Sequence, residues 1–89
     1  MEQKSDRYNF SKYREFTVDF ESDHFTHNEL CNLIKIDVEA DFDGDIHTRI
    51  YKMIDLTTNE IRNLKDFPSD EQHKIKGLIS DYATELFYT

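Results

Sequence analysis

Cysteine, proline and glycine are scarce in this 89-residue chain, and each scarcity removes a class of explanation. The single cysteine, Cys31, excludes an intrachain disulfide, and nothing in the composition calls for an oxidising compartment. Two glycines, Gly44 and Gly77, are too few for a glycine-rich phosphate loop, and neither a serine nor Cys31 sits in a nucleophile motif. No apolar stretch approaches the roughly 20 residues of a helical membrane span. Met1 to Asp6 is polar where a secretory signal would be apolar. The expectation is a soluble, cytoplasmic protein. Positive charge is also short. Eleven Lys and Arg against nineteen Asp and Glu leave a net charge of −8 and a pI near 4.8. Such a charge argues against direct binding to nucleic acid or to an anionic membrane, and points to a basic or neutral partner. Acidity that serves only solubility accounts for the same numbers.

What is present is a pattern of strands. Within Lys35 to Leu56, the apolar residues Ile36, Val38, Ala40 and Phe42 alternate with Asp37, Glu39 and Asp41, which is the period of a strand with one apolar and one acidic face. Asp43-Gly44-Asp45 breaks the run, and Ile46, Thr48 and Ile50 begin a second alternation. A two-residue loop would mix the apolar and polar sets across this hairpin. A three-residue loop pairs Phe42 with Ile46, Ala40 with Thr48 and Val38 with Ile50, keeping each set on its face. In that register Glu39 lies opposite Arg49 and Asp41 opposite His47, so part of the acidic face is internally neutralised.

Around this hairpin the chain reads as a single domain with no repeats, low-complexity tracts or linkers. Residues 1–12 are polar and read as a flexible arm, and residues 13–89 as the domain. Phe16, Val18 and Phe20 alternate with Thr17, Asp19 and Glu21 in a first strand that ends near Ser22-Asp23. In the segment from His24 to Leu33, Thr26 and Glu29 fit a capping box for a short helix, but a strand starting at about Leu30 is preferred. Glu60 to Lys65 is read as a fourth strand after a turn at Thr58-Asn59, with Asn59 left-handed, Asp55 facing Arg62 and Leu56 facing Ile61. A helix from Thr57 is the competing reading.

Phe67-Pro68-Ser69-Asp70-Glu71-Gln72 is the strongest helix start: Pro68 ends the preceding element, Ser69 is the expected cap, and Asp70 and Glu71 sit at the positive end of the dipole. Ile75, Leu78, Ile79, Tyr82, Ala83, Leu86 and Phe87 then form one apolar stripe. Gly77 within it suggests close approach of helix to sheet. The fold class expected is α+β: a small antiparallel meander of three or four strands with one C-terminal amphipathic helix packed on one face.

Chemistry finds little support. Asp41 to Asp45 resembles a calcium loop, but the sixth and twelfth positions, which require glycine and glutamate, hold Ile46 and Lys52. His24, His27 and Cys31, with His47 as a fourth, offer zinc ligands at short spacing without the paired cysteines of a structural site. No metal and no cofactor is expected. Carboxylates such as Asp37 and Glu39 lie on an exposed strand face, where pKa shifts should be small, and a single-layer sheet offers no deep cleft. The chain is therefore expected to be no enzyme. The leading expectation is an acidic interaction protein that blocks the basic groove of a larger nucleic-acid-binding protein by mimicking phosphate charge. Small inhibitors of this kind serve phages and mobile elements in anti-defence or host takeover. Its contact residues would be Asp37, Glu39, Asp41, Asp43 and Asp45, with Tyr51 as an aromatic anchor and Asp19, Glu21, Asp23 and Glu29 at the other end; Lys35, Arg49 and Lys52 dilute the charge. The alternative is a subunit or antitoxin-like protein, homodimeric or with a partner, whose interface is apolar or an edge strand.

Overall fold

A computed structural model describes residues 12–25 and 31–88. Strands β1 (Lys12–Ser22), β2 (Asn32–Phe42), β3 (Ile46–Asp55) and β4 (Glu60–Arg62) form one antiparallel sheet in chain order, followed by a 3-10 turn at Leu64–Asp66 and helix α1 (Ser69–Tyr88) across one face. This is the expected α+β meander with four strands. Most of the proposed arm, residues 1–11, and the proposed capping box at Thr26 to Glu29 lie outside the described residues; Lys12 is already the first residue of β1.

Strand alternation builds the core. Phe16 and Val18 of β1, Ile34, Ile36, Val38 and Ala40 of β2, and Met53 of β3 turn to the helix side, where they meet Phe67, Ile75, Ile79 and Ala83. Of the helical stripe, Leu86 and Phe87 are half-buried, while Leu78 and Tyr82 lie at its margin, Tyr82 stacking on Phe16 with centroids 4.8 Å apart. Gly77 does not mark a close approach: it is exposed, and a methyl group in its place would meet nothing within 4 Å. The helix also begins earlier than a Ser69 cap requires, because the Gln72 N–H already donates to the Pro68 carbonyl at 2.9 Å and Ser69 is itself helical.

The central hairpin has the expected register, with Phe42 opposite Ile46, Val38 opposite Ile50, and Gly44 at φ 113° in the three-residue loop. Beyond Val38 the register shifts, so that Asp37 pairs with Lys52 and Tyr51 is the extra residue of a bulge. Asn59 does adopt the left-handed conformation, φ 62°. The β3–β4 register differs from expectation: Asp55 pairs with Glu60 and Ile54 with Ile61. The reason is that the Asp55 carboxylate accepts the Thr57 N–H at 2.9 Å and the Thr58 N–H at 3.3 Å, while the Asn59 N–H donates to the Asp55 carbonyl. Leu56 is thereby drawn into the turn.

One end of the core is polar, which the hydrophobic pattern does not announce. Asp55 is fully buried and also accepts from Asn32 Nδ2 at 2.8 Å and from the Arg62 guanidinium at 3.0 Å. Arg62 in turn lies over the Phe25 ring, 4.0 Å from its centroid. Glu71 of the helix accepts from Ser22 Oγ at 2.7 Å and from the Asp23 N–H at 3.0 Å. Among the described residues no buried side-chain nitrogen or oxygen lacks a partner.

Candidate protein-binding face

The sheet face turned away from the helix follows from the same alternation. Its residues are Tyr13, Glu15, Thr17, Asp19 and Glu21 of β1, then Leu33, Lys35, Asp37, Glu39 and Asp41 of β2, then His47, Arg49, Lys52 and Ile54 of β3. The register opposes Glu15 to Glu39, Thr17 to Asp37, Tyr13 to Asp41 and Asp19 to Lys35. Three of the predicted contact residues, Asp37, Glu39 and Asp41, are therefore neighbours on one face. Asp43 and Asp45 sit at the hairpin tip beside them, and Asp43 lies 3.4 Å from His47 Nε2. Asp19 is removed from this group, as expected, and stands against Lys35. Glu29 lies outside the described residues.

Glu15 is the residue that sequence reasoning missed. Facing Glu39 across the β1–β2 ladder, it places two carboxylates directly opposite one another, an arrangement that weakens a sheet. The Tyr13 hydroxyl stands between them, 2.9 Å from Glu15 Oε2 and 3.0 Å from Glu39 Oε2, with one proton for the two acceptors. These carboxylates, that of Glu15 first, push the Tyr13 phenol well above its ordinary range. Glu39 also accepts Arg49 Nε at 2.7 Å and a second guanidinium nitrogen. Arg49 chiefly, with Tyr13, holds Glu39 below the usual carboxylate range. Asp37 accepts the Thr17 hydroxyl at 2.9 Å.

Tyr51, the bulge residue, is about half exposed. Burial of its ring, with the negative fields of Glu15, Asp37 and Glu39, raises its phenol pKa, and the residue lines a groove beside β3 together with Ile50, Lys52 and Met53. Toward the other end of the molecule several apolar side chains are exposed, among the charged Asp19, Glu21 and Lys35. Leu33, Leu56 and Ile61 are 37%, 48% and 62% exposed, with Ile54 opposite Ile61.

The candidate ligand groups do not converge. His24 stacks edge-on against Phe25, and Cys31 donates to Asp23 Oδ1 at 2.8 Å, a contact that raises the thiol pKa ahead of the contribution from burial. His27 lies outside the described residues. Among the described residues, no three His, Cys, Asp or Glu side chains are grouped to hold a metal ion, and no helix is long and apolar enough to cross a membrane. No family model, curated protein or solved structure matches the chain.

Proposed function

We propose that the chain is a non-enzymatic interaction protein whose acidic sheet face binds a basic surface on a larger protein, in the manner of an inhibitor that occupies a nucleic-acid groove. The observation that carries the reading is Glu15 opposite Glu39, flanked by Asp37 and Asp41. Like charges set across a ladder cost stability, and cationic groups from a partner are what would relieve them. Neighbouring strands stand about 4.8 Å apart and alternate residues along a strand about 6.7 Å, so these four carboxylates, extended by Asp43 and Asp45, make a dense anionic grid. Duplex DNA carries one charge per about 1.7 Å of axis, a density a sheet approaches only where more than one strand contributes, as β1 and β2 do here, while β3 adds His47, Arg49 and Lys52. Tyr51, beside the grid, supplies aromatic contact area.

The test is capture from cell lysate with stepwise elution in NaCl, run in parallel with a D37K/E39K/D41K variant. The expected result is a basic nucleic-acid-binding protein that is released at moderate salt, is lost with the variant, and is displaced from its nucleic acid by the wild-type chain. A partner held equally by the variant would sink the reading.

A second reading is favoured by the exposed apolar side chains Leu33, Leu56 and Ile61. It makes the chain a subunit or antitoxin-like protein whose acidity is solubilising. Binding that survives about 0.5 M NaCl, where the Debye length is under about 5 Å, selects it.

A further inference from the structure

The edge of β3 that faces away from β2 is only partly covered. β4 pairs with Met53, Ile54 and Asp55 and then stops at Arg62, where Asn63 turns the chain into the 3-10 turn, closed by the Asn63 N–H on the Asp66 carboxylate at 2.9 Å. Ile46 to Lys52, apart from the bulged Tyr51, thus pair with β2 on one side and with no described strand on the other. An uncovered strand edge presents alternate N–H and C=O groups ready to pair. Beside it runs an open groove of about 460 Å³ between β3, the β4–α1 connection and the helix. Ile50, Met53, Ile61 and Leu64, with the Tyr51 ring, supply its apolar lining, and its charged side chains are all cations, Lys52, Arg62 and Lys76. Arg62 is committed to Asp55 and Glu60, whereas Lys52 and Lys76 make no ion pair among the described residues. In a chain of net charge −8, this is a local reversal of sign.

We infer that the groove is a strand-addition site for an extended acidic-apolar segment of a partner protein. The segment continues the line of β4, pairs its backbone antiparallel to Ile46–Lys52, sends apolar side chains toward Ile50 and Leu64, and offers carboxylates to Lys52 and Lys76. Charge complementarity selects this occupant. The groove adjoins the acidic face, sharing Tyr51 and Lys52 with its β3 border, but the strand edge and the helix residue Lys76 belong to the groove alone.

The experiment is selection of a random twelve-residue displayed peptide library on the full chain, followed by hydrogen exchange on the complex with the best synthetic peptide. The expected peptides carry Asp or Glu among apolar residues, slow exchange at the outward amides of Ile46–Lys52, those that do not bond to β2, and bind a K52E/K76E variant at least tenfold more weakly. Failure to enrich any peptide, peptides that leave those amides unprotected, or equal binding to the variant would overturn the inference. Slow exchange in the free chain at the outward amides of Ile46–Lys52, those that do not bond to β2, would overturn it too, since a copy of the chain or another of its own segments would then occupy the edge. A Glu15→Lys variant, altered on the strand farthest from the groove, should bind the selected peptides as the wild type does, which separates this site from the acidic face.

Discussion

The two faces of the sheet treat carboxylates in opposite ways. On the helix side, Asp55 and Glu71 are buried and each has its own set of donors: Asn32, Arg62 and two backbone N–H groups for one, Ser22 and the Asp23 N–H for the other. On the open side, Glu15 and Glu39 confront each other over one tyrosine proton, and among the described residues only Glu39 of the two pairs with a cation. The first arrangement is complete within the molecule and belongs to stability. The second leaves negative charge unanswered, and that is what an interaction surface requires.

The contrast is broken most forcefully at Asp55. Replacing it by alanine leaves Arg62, Asn32 and the turn N–H groups without their acceptor, and should cost about 3 kcal/mol in urea unfolding. Glu71→Gln weakens the tie between helix and β1 and should cost about 1 to 2 kcal/mol by the same measurement.

Acid sharpens the comparison. Burial alone would raise the pKa of Asp55, but the hydrogen bonds from Asn32, Arg62, Thr58 and Thr57 outweigh it, and the folded value lies below the ordinary one. A group depressed in this way contributes stability above its unfolded pKa and loses it as pH falls through the folded value. Stability should therefore decline as pH drops below about 4, and an Asp55→Asn variant, less stable at neutral pH, should show a shallower decline. Salt separates the two faces here, since the Glu39–Arg49 pair on the surface is screened and the Asp55 cluster is not. The smallest effect belongs to Glu15→Gln, which removes a like-charge confrontation. Its Tm should equal the wild-type value or exceed it by about 2 °C at most, while affinity for a basic partner falls; a clear loss of stability would place Glu15 with the structural carboxylates.

The legible parts of the fold are those written in local pattern. Period-two alternation and Asp43-Gly44-Asp45 specify the hairpin and its register, Asn59 specifies the left-handed turn, and Pro68 with the apolar stripe specifies the helix. The polar end of the core escapes such reading because Ser22, Asn32, Asp55 and Glu71 look exposed one at a time, and are buried only because distant residues satisfy them. Glu15 escapes for a related reason. Its opposition to Glu39 depends on the β1–β2 register, which a long connection leaves open, whereas a short loop fixes that of β2–β3. Asp37, Glu39 and Asp41 share one strand, and so their proximity needs no register at all.

The bulge at Tyr51 acts on β3 as an inserted letter acts on a reading frame. Before it, Ile46 and Ile50 turn toward the helix at even positions; after it, Met53 and Asp55 do so at odd ones. Counting without the insertion would send Ile54 inward and Asp55 out to solvent. One extra residue thus imports a carboxylate into the core, with the turn and the arginine organised around it, and exports Ile54 to the open face, where it meets Ile61. The Ile54–Ile61 pair on the outer surface and the polar end of the core are two products of the same shift.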